Sequence, residues 1–354
     1  MLSEEGGLAF SNIGRADSHG ASAEEPSRLR LIPASLAAPH PGLWILTVLL
    51  IVLDAIWLSL SGIRLQARGF AIGFAFVAVL LVAAALLGPI KSEPKLRAMA
   101  LASASLVAFT LPLAVLHYLT ATLPLPFADE TLARVEAALG FDWVAYIAFL
   151  AAHPSLSWWL ALAYHSSGPQ IAVVVIVLSA CSRLGRLWTF VRLYGALMLC
   201  SVLVAAIFPA IGSYAHFKPG IVPADQFETV GAVWHLEPLN RLREGTMRVI
   251  ALEDIRGLVT FPSFHVCLAI ISAWALAPVP MIGPLAALLN IAVIVATIGS
   301  GGHYLPDVLA GGLLSLLILS GQRLSRGRSI FWRRVRQAAS PLDRAASPPR
   351  TATG

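Results

Sequence analysis

The chain has 354 residues, 57% of them hydrophobic and 12% charged, with a mean hydropathy of +0.77. Soluble domains carry about 25% charged residues, so half that share, together with apolar runs of about 20 residues, excludes a soluble globular class and indicates an integral membrane protein. The net charge of +6 does not point to nucleic acid, because the basic residues are scattered in short loops and at the C-terminus, where membrane topology accounts for them.

Residues 1–40 are rich in Ser, Ala, Gly and Glu without periodicity and read as a disordered tail. The first apolar run begins near Leu43, too far in for a signal peptide and without a small-residue cleavage site, so it reads as a first span. Eight spans can be drawn, roughly over 43–62, 69–90, 99–123, 158–180, 187–208, 264–282, 284–302 and 305–321. An isolated spanning segment must satisfy its own backbone. The expected fold is therefore all-α, a polytopic membrane bundle of about eight transmembrane helices. Pro278, Pro280, Gly283 and Pro284 punctuate the last spans, as does the run Gly299-Ser300-Gly301-Gly302. In the first span, Asp54 reads as a structural pair or a protonated carboxyl, with function as the alternative for an intramembrane acid.

Two connections are long. The 124–157 segment holds Asp129, Glu130, Glu136 and Asp142 around Arg134, and the spacing of Leu132, Val135 and Leu139 predicts a short amphipathic helix on the interface. The 209–262 segment is the largest polar insertion; within it Arg248–Arg256 reads as a strand or hairpin. Lys91, Lys95, Arg97, Arg183, Arg186 and the Arg-rich segment after the last span fall on one side of an eight-span bundle, which is the cytoplasmic side by the positive-inside rule. The two long connections then fall outside. Arg64 and Arg68, between the first two spans, are the exception.

The three cysteines, Cys181, Cys200 and Cys267, show no metal-ligand spacing and read as apolar packing residues. His165 and Gln170 are expected to bond across helices rather than touch a ligand. The chemistry gathers where polar loops enter apolar segments: Pro262-Ser263-Phe264-His265, and Gly302-His303-Tyr304-Leu305-Pro306-Asp307. A histidine at a span boundary is as a rule an interfacial residue, and Pro-Ser before a helix is mostly a start signal. Here both open helices on the same predicted side. His303 and Asp307 are four apart, so the carboxylate can reach back to the ring and fix its tautomer, as a phosphoryl-accepting imidazole needs. Gly301 and Gly302 leave room for backbone N–H groups to approach an anion. Ser263 suits a helix cap or a phosphate contact.

Phe261-Pro-Ser-Phe-His265 and Gly302-His-Tyr-Leu-Pro-Asp307-Val-Leu-Ala-Gly311 resemble the second and third signature motifs of the type 2 phosphatidic acid phosphatase superfamily. The branch they look like most is the inositol phosphorylceramide synthase type, whose third motif reads His-Tyr-x-x-Asp-x-x-x-Gly. The resemblance divides the chain into the 1–40 tail, two additional transmembrane helices over 41–98, a catalytic membrane domain with a six-helix core over 99–321, and a basic cytoplasmic tail over 322–354. It implies His303 as nucleophile, Asp307 as its orienting acid and His265 as general acid, with no metal and no cofactor. The implied partners are a lipid phosphate or phospholipid substrate and the bilayer. By the charge pattern above, the site is expected on the outer face of a bacterial inner membrane, with both termini cytoplasmic.

The first signature, Lys then six residues then Arg-Pro, is absent, and Thr297 stands where the soluble-type members carry Arg. A cation must still meet the phosphoryl group. Arg256 is expected to supply it, with Arg248 second and Lys218 third. Hydrolysis and transfer of an inositol-phosphoryl-type group to a lipid hydroxyl both remain open. A membrane transporter with discontinuous helices is the alternative of another class.

Overall fold

A computed structural model describes residues 41–88, 93–220, 232–258 and 260–322. The expected tail over 1–40 and the basic segment from 323 onward lie outside the described residues. Helices dominate, as the apolar composition requires: α1 (Gly42–Ser61), α2 (Ala67–Leu87), α3 (Pro94–Thr120), α8 (Leu184–Ile207), α12 (Ile282–Gly299) and α13 (Leu305–Gln322) are each long and apolar enough to span a bilayer. Between α3 and α8 run α4 (Asp129–Ala138), α5 (Trp143–Ala152), α6 (Pro154–His165) and α7 (Ser167–Ala180); the short α9 (Ser213–Phe217) follows α8, and α11 (Phe264–Leu276) precedes α12. The fold is an all-α polytopic bundle with six to eight span candidates.

Two expected spans are broken, each for a local reason. The 158–180 span is the pair α6–α7, bent by 50°. Pro169 withholds an N–H from the ladder there, and the hydroxyls of Ser166 and Ser167 donate to the carbonyls of Ala163 (2.6 Å) and Tyr164 (2.7 Å), a pairing that competes with regular helix. The 264–282 span ends early, at Leu276, because Pro278 and Pro280 cannot continue it. The carbonyls exposed at that end are taken by arginines. Arg186 donates to Ala275 (2.8 Å) and Trp274, and Arg183 to Pro278 (2.9 Å).

α3 is the axis of the bundle, packed against α1, α2, α7, α8 and a short helix of the insertion, α10 (Leu236–Arg243). The two front helices each bury one stripe: Thr47, Leu50 and Asp54 on α1, and Phe70, Val77 and Ala84 on α2. Most of the remainder of both is exposed apolar surface, Leu49, Leu60, Ile72 and Val79 among it, as lipid contact demands. Asp54 is thus turned inward, and its Oδ1 has no partner among the described residues.

Of the strand or hairpin expected over 248–256, a short strand forms, without a hairpin partner. β2 (Val249–Ile250) pairs instead with β1 (Arg64–Leu65), in parallel, through Arg64 N–H to Arg248 O (2.9 Å) and Gln66 N–H to Ile250 O (2.9 Å). A 3₁₀ turn over Leu252–Asp254 follows. The α1–α2 connection, Arg64 included, is therefore fastened to the large insertion. Ile63, Phe70, Val115, Tyr118, Leu119, Leu239, Leu242 and Ile250 form an apolar cluster beneath this join. At the opposite end of the bundle, Lys95 donates to Ala180 O at 3.3 Å, close to the arginines that cap α11.

The 124–157 connection also departs from expectation. It holds two helices, α4 and α5, at 81°, not one. α4 is the helix expected from Leu132, Val135 and Leu139; Val135 and Leu139 are exposed, whereas Asp129, Leu132 and Glu136 are buried.

Candidate active site

Ser263 occupies the position before α11, with extended backbone. Its N–H donates to Asp307 O at 3.0 Å, which ties the start of α11 to the start of α13. Gly311 lets the two helices meet this closely: a Cβ there would stand 2.5 Å from Ser263 O, so only glycine fits. The Ser263 hydroxyl makes no cap bond. It faces His303 Nε2 at 3.3 Å instead.

His303 stands in the tight connection between α12 and α13 and is 2% exposed. Its Nδ1 lies 3.2 Å from Asp307 Oδ2, which also accepts the Tyr304 N–H at 3.0 Å. Asp307 Oδ1 is buried and has no partner among the described residues. Burial pulls the His303 ring down to about 4, against a smaller opposing pull from the Thr260 backbone carbonyl, so the ring is neutral at physiological pH. A carboxylate on Nδ1 selects the tautomer that carries its proton there, which leaves the Nε2 lone pair directed away from Asp307.

His265, on the first turn of α11, has its ring centroid 6.4 Å from that of His303, at 63°. Tyr164 packs on its ring at 4.4 Å and brings its hydroxyl to 3.4 Å from His265 Nδ1. The two histidines border a cavity of about 120 Å³, lined also by His117, Tyr164, Ser201, His235, Thr260 and Gly301. The structure thus brings Ser263, His265, His303 and Asp307 together.

It does not bring the three expected cations into that cavity. Arg248 and Lys218 are exposed. Arg256 directs its Nη1 to the carbonyls of Glu253 (2.8 Å) and Ile255 (3.3 Å), and its guanidinium lies 5.8 Å from the Trp234 ring centroid. Arg256 and Trp234 line an adjoining groove of about 360 Å³ with Tyr118, Glu237, Arg241 and Asp254. Gly257, the next residue, lines the cavity with the histidines. The glycine run does not offer a backbone nest either. Gly301 N–H and His303 N–H donate to Thr297 O (3.1 and 3.3 Å), and Gly302 N–H to Gly299 O (3.2 Å), so the donors are committed to closing the α12 end. The glycines serve space and backbone conformation: a Cβ on Gly301 would come within 2.9 Å of Tyr164, and Gly302 has φ +63. Gln170 pairs across helices with Asn290 (2.8 Å), as expected. Among the described residues, no group of three or more His, Cys, Asp or Glu is arranged to hold a metal.

Sequence reasoning missed the supports of the His303 loop. Asp129 accepts from Ile211 N–H (2.9 Å), Gly212 N–H (3.0 Å) and Tyr304 O–H (2.9 Å), and Glu136 accepts from Leu305 N–H at 2.6 Å. Their available signal was spacing: 129, 132 and 136 share one helical face. Each buried donor left without an acceptor costs about 1–3 kcal/mol. Asp129→Ala should therefore lower the thermal midpoint of the detergent-purified protein and reduce turnover, whereas Asp129→Asn, which keeps one accepting oxygen, should recover part of both. His117 and His235 were also missed; each stands beside a residue (Tyr118, Trp234) that lines the adjoining groove.

A family model described as the PAP2 superfamily matches residues 130–320, from the first turn of α4 to near the end of α13. No curated protein and no solved structure matches the chain.

Proposed function

The chain belongs to the PAP2 superfamily, and on that premise we propose that it is a membrane-embedded enzyme that cleaves a lipid phosphate ester or phosphodiester through a phosphohistidine. The observation that supports this most is the His303–Asp307 pair, buried and neutral-ringed, with His265 across a small cavity. His303 Nε2 attacks phosphorus; the P–N bond forms as the P–O bond to the leaving alcohol breaks. His265, in the imidazolium form that the incoming phosphate stabilises, gives its proton to the departing oxygen. Asp307 holds the His303 tautomer and balances the charge the ring acquires. Ser263 Oγ, beside Nε2, is placed to donate to a phosphate oxygen. In the second step a hydroxyl attacks phosphorus, His265 takes its proton, and the P–N bond breaks.

Water as the second nucleophile makes the enzyme a phosphatase; a lipid hydroxyl makes it a phosphotransferase of the kind that the inositol phosphorylceramide synthase resemblance implies. Among the sequence-expected cations, Arg256 suits contact with the part of the substrate beyond the reacting phosphate, since it lines the adjoining groove. Arg248 and Lys218 suit approach of an anionic substrate from the surface. We place the site on the outer face of a bacterial inner membrane. The end of the bundle that holds it is opposite the end with Lys95, Arg183 and Arg186, which the positive-inside rule puts in the cytoplasm.

The test is turnover of purified protein against a panel of lipid phosphates and phosphodiesters, with and without alcohol acceptors. Free phosphate from a monoester identifies hydrolysis, and a new phosphodiester identifies transfer. No turnover of any member of the panel by a folded, detergent-stable preparation would count against both.

A further inference from the structure

A phosphoryl group in transfer spreads negative charge over its equatorial oxygens, and a cation or a set of strong donors has to meet it. The cavity between His265 and His303 has no Lys or Arg among its described lining residues, yet four imidazoles from four separate elements face it. Two of them have work in the reaction proposed above. The other two, His117 near the C-terminal end of α3 and His235 just before α10, have none.

We propose that His117 and His235 are the phosphate-binding groups of this site, meeting the oxyanion as imidazolium ions in place of arginine or lysine. The inference rests on the phosphoryl-transfer reading of the cavity. His117 is half-buried and its ring has no hydrogen-bond partner among the described residues, so both nitrogens are available to a ligand. His235 is 4% exposed and its Nε2 is 2.8 Å from Ile211 O. A carbonyl only accepts, so Nε2 carries the hydrogen. The second nitrogen, Nδ1, is then a lone pair in the neutral ring and becomes a donor only on protonation. His235 can therefore greet an anion in one state only, the charged one.

The groups around His235 bear on when that state forms. His117 faces it from α3, His303 from the α12–α13 connection and Asp129 from α4, with the Ile211 carbonyl on its Nε2. On its own helix, Glu237 lines the adjoining groove. Burial holds the His235 ring below the usual imidazole range, the Ile211 carbonyl opposes this, His303 adds to it, and Asp129 opposes it. In the empty cavity the ring is neutral at physiological pH. An entering dianion reverses the balance, so oxyanion binding draws in a proton. His117 also lies ahead of the 130–320 family match, which means that part of the phosphate site comes from a helix outside the matched region.

Sulfate is a suitable probe because it stays a dianion throughout the neutral range. Calorimetric titration of the full chain in detergent should show sulfate binding that strengthens about tenfold as pH falls from about 8 to about 6, the range in which imidazoles gain protons. The heat should vary with buffer ionisation enthalpy in the manner of proton uptake. His235→Gln, whose amide can still donate to Ile211 O, should weaken binding at the lower pH about tenfold and flatten the pH slope. His117→Gln should weaken binding to a similar degree. Absent or pH-independent sulfate binding to the wild type overturns the proposal, whether or not the variants fold. So does wild-type affinity and slope in both variants when their thermal midpoints are unchanged. His303→Ala separates the two readings: turnover by that variant ends the phosphohistidine mechanism, while the sulfate result alone decides the role of His117 and His235.

Discussion

His303→Ala should reduce turnover to background, a loss of roughly 10⁴-fold or more by comparison with the removal of other activated nucleophiles, and should leave no phosphoenzyme. The expectation follows from position: His303 Nε2 is the nitrogen of that ring turned from Asp307, and Ser263 is the hydroxyl beside it. Loss of the ring removes the only group given a covalent role. Quenching the reaction with a radiolabelled substrate and counting protein-bound phosphate measures the intermediate directly. Melting curves separate this from misfolding, since His303→Ala also vacates a buried site and should cost some stability. Wild-type labelling in the variant would end the assignment.

His265→Ala and Asp307→Asn should each cost about 10²–10⁴-fold, but with different signatures. His265 serves only the proton. Without it, phosphoenzyme should still form from substrates with good leaving groups, such as an aryl phosphate, while alkyl esters should fail. Asp307 serves the nucleophile. Its carboxylate accepts from His303 Nδ1 and the Tyr304 N–H with one oxygen; an amide can keep both bonds only with its own oxygen in that place, and it carries no charge to balance the ring. Asp307→Asn should therefore slow good and poor leaving groups alike. A kinetic comparison of the two substrate classes in both variants reads this out; equal losses on aryl and alkyl esters in His265→Ala would remove its role as acid.

Much of the architecture was legible because the bilayer leaves few choices. Long apolar runs had to become helices, and eight expected spans correspond to six long helices, one bent pair and the short α11. The punctuation that breaks them, Pro169, Pro278 and Pro280, was visible as residues, but how far each would bend or end a span depended on what received the freed carbonyls. Arg183 and Arg186 did so for α11, across more than 85 residues of chain. Helix pairing, including the burial of Asp54 against α3, carries no marker in local composition.

The site divides along the same line. The His303–Asp307 contact is local: Asp307, in the first turn of α13, accepts the Tyr304 N–H and reaches back to the ring just before the helix, and the motifs placed Ser263 and His265 at the start of a helix. The sequence by itself therefore determined the membrane class, the approximate spans and the residues of the histidine–carboxylate pair. Tertiary structure decided everything that depends on separate elements converging. It set the 6.4 Å separation of His265 and His303, the turning of Arg256 into a neighbouring groove and the arrival of His117 and His235 in the cavity. It also buried Asp129 and Glu136 beneath the His303 loop. The physical reason is that a charge in a polar loop reads as solvated until a specific buried donor is shown to meet it. Asp129 finds its donors at Ile211, Gly212 and Tyr304, which only the packing of α4 against the rest of the bundle brings within reach.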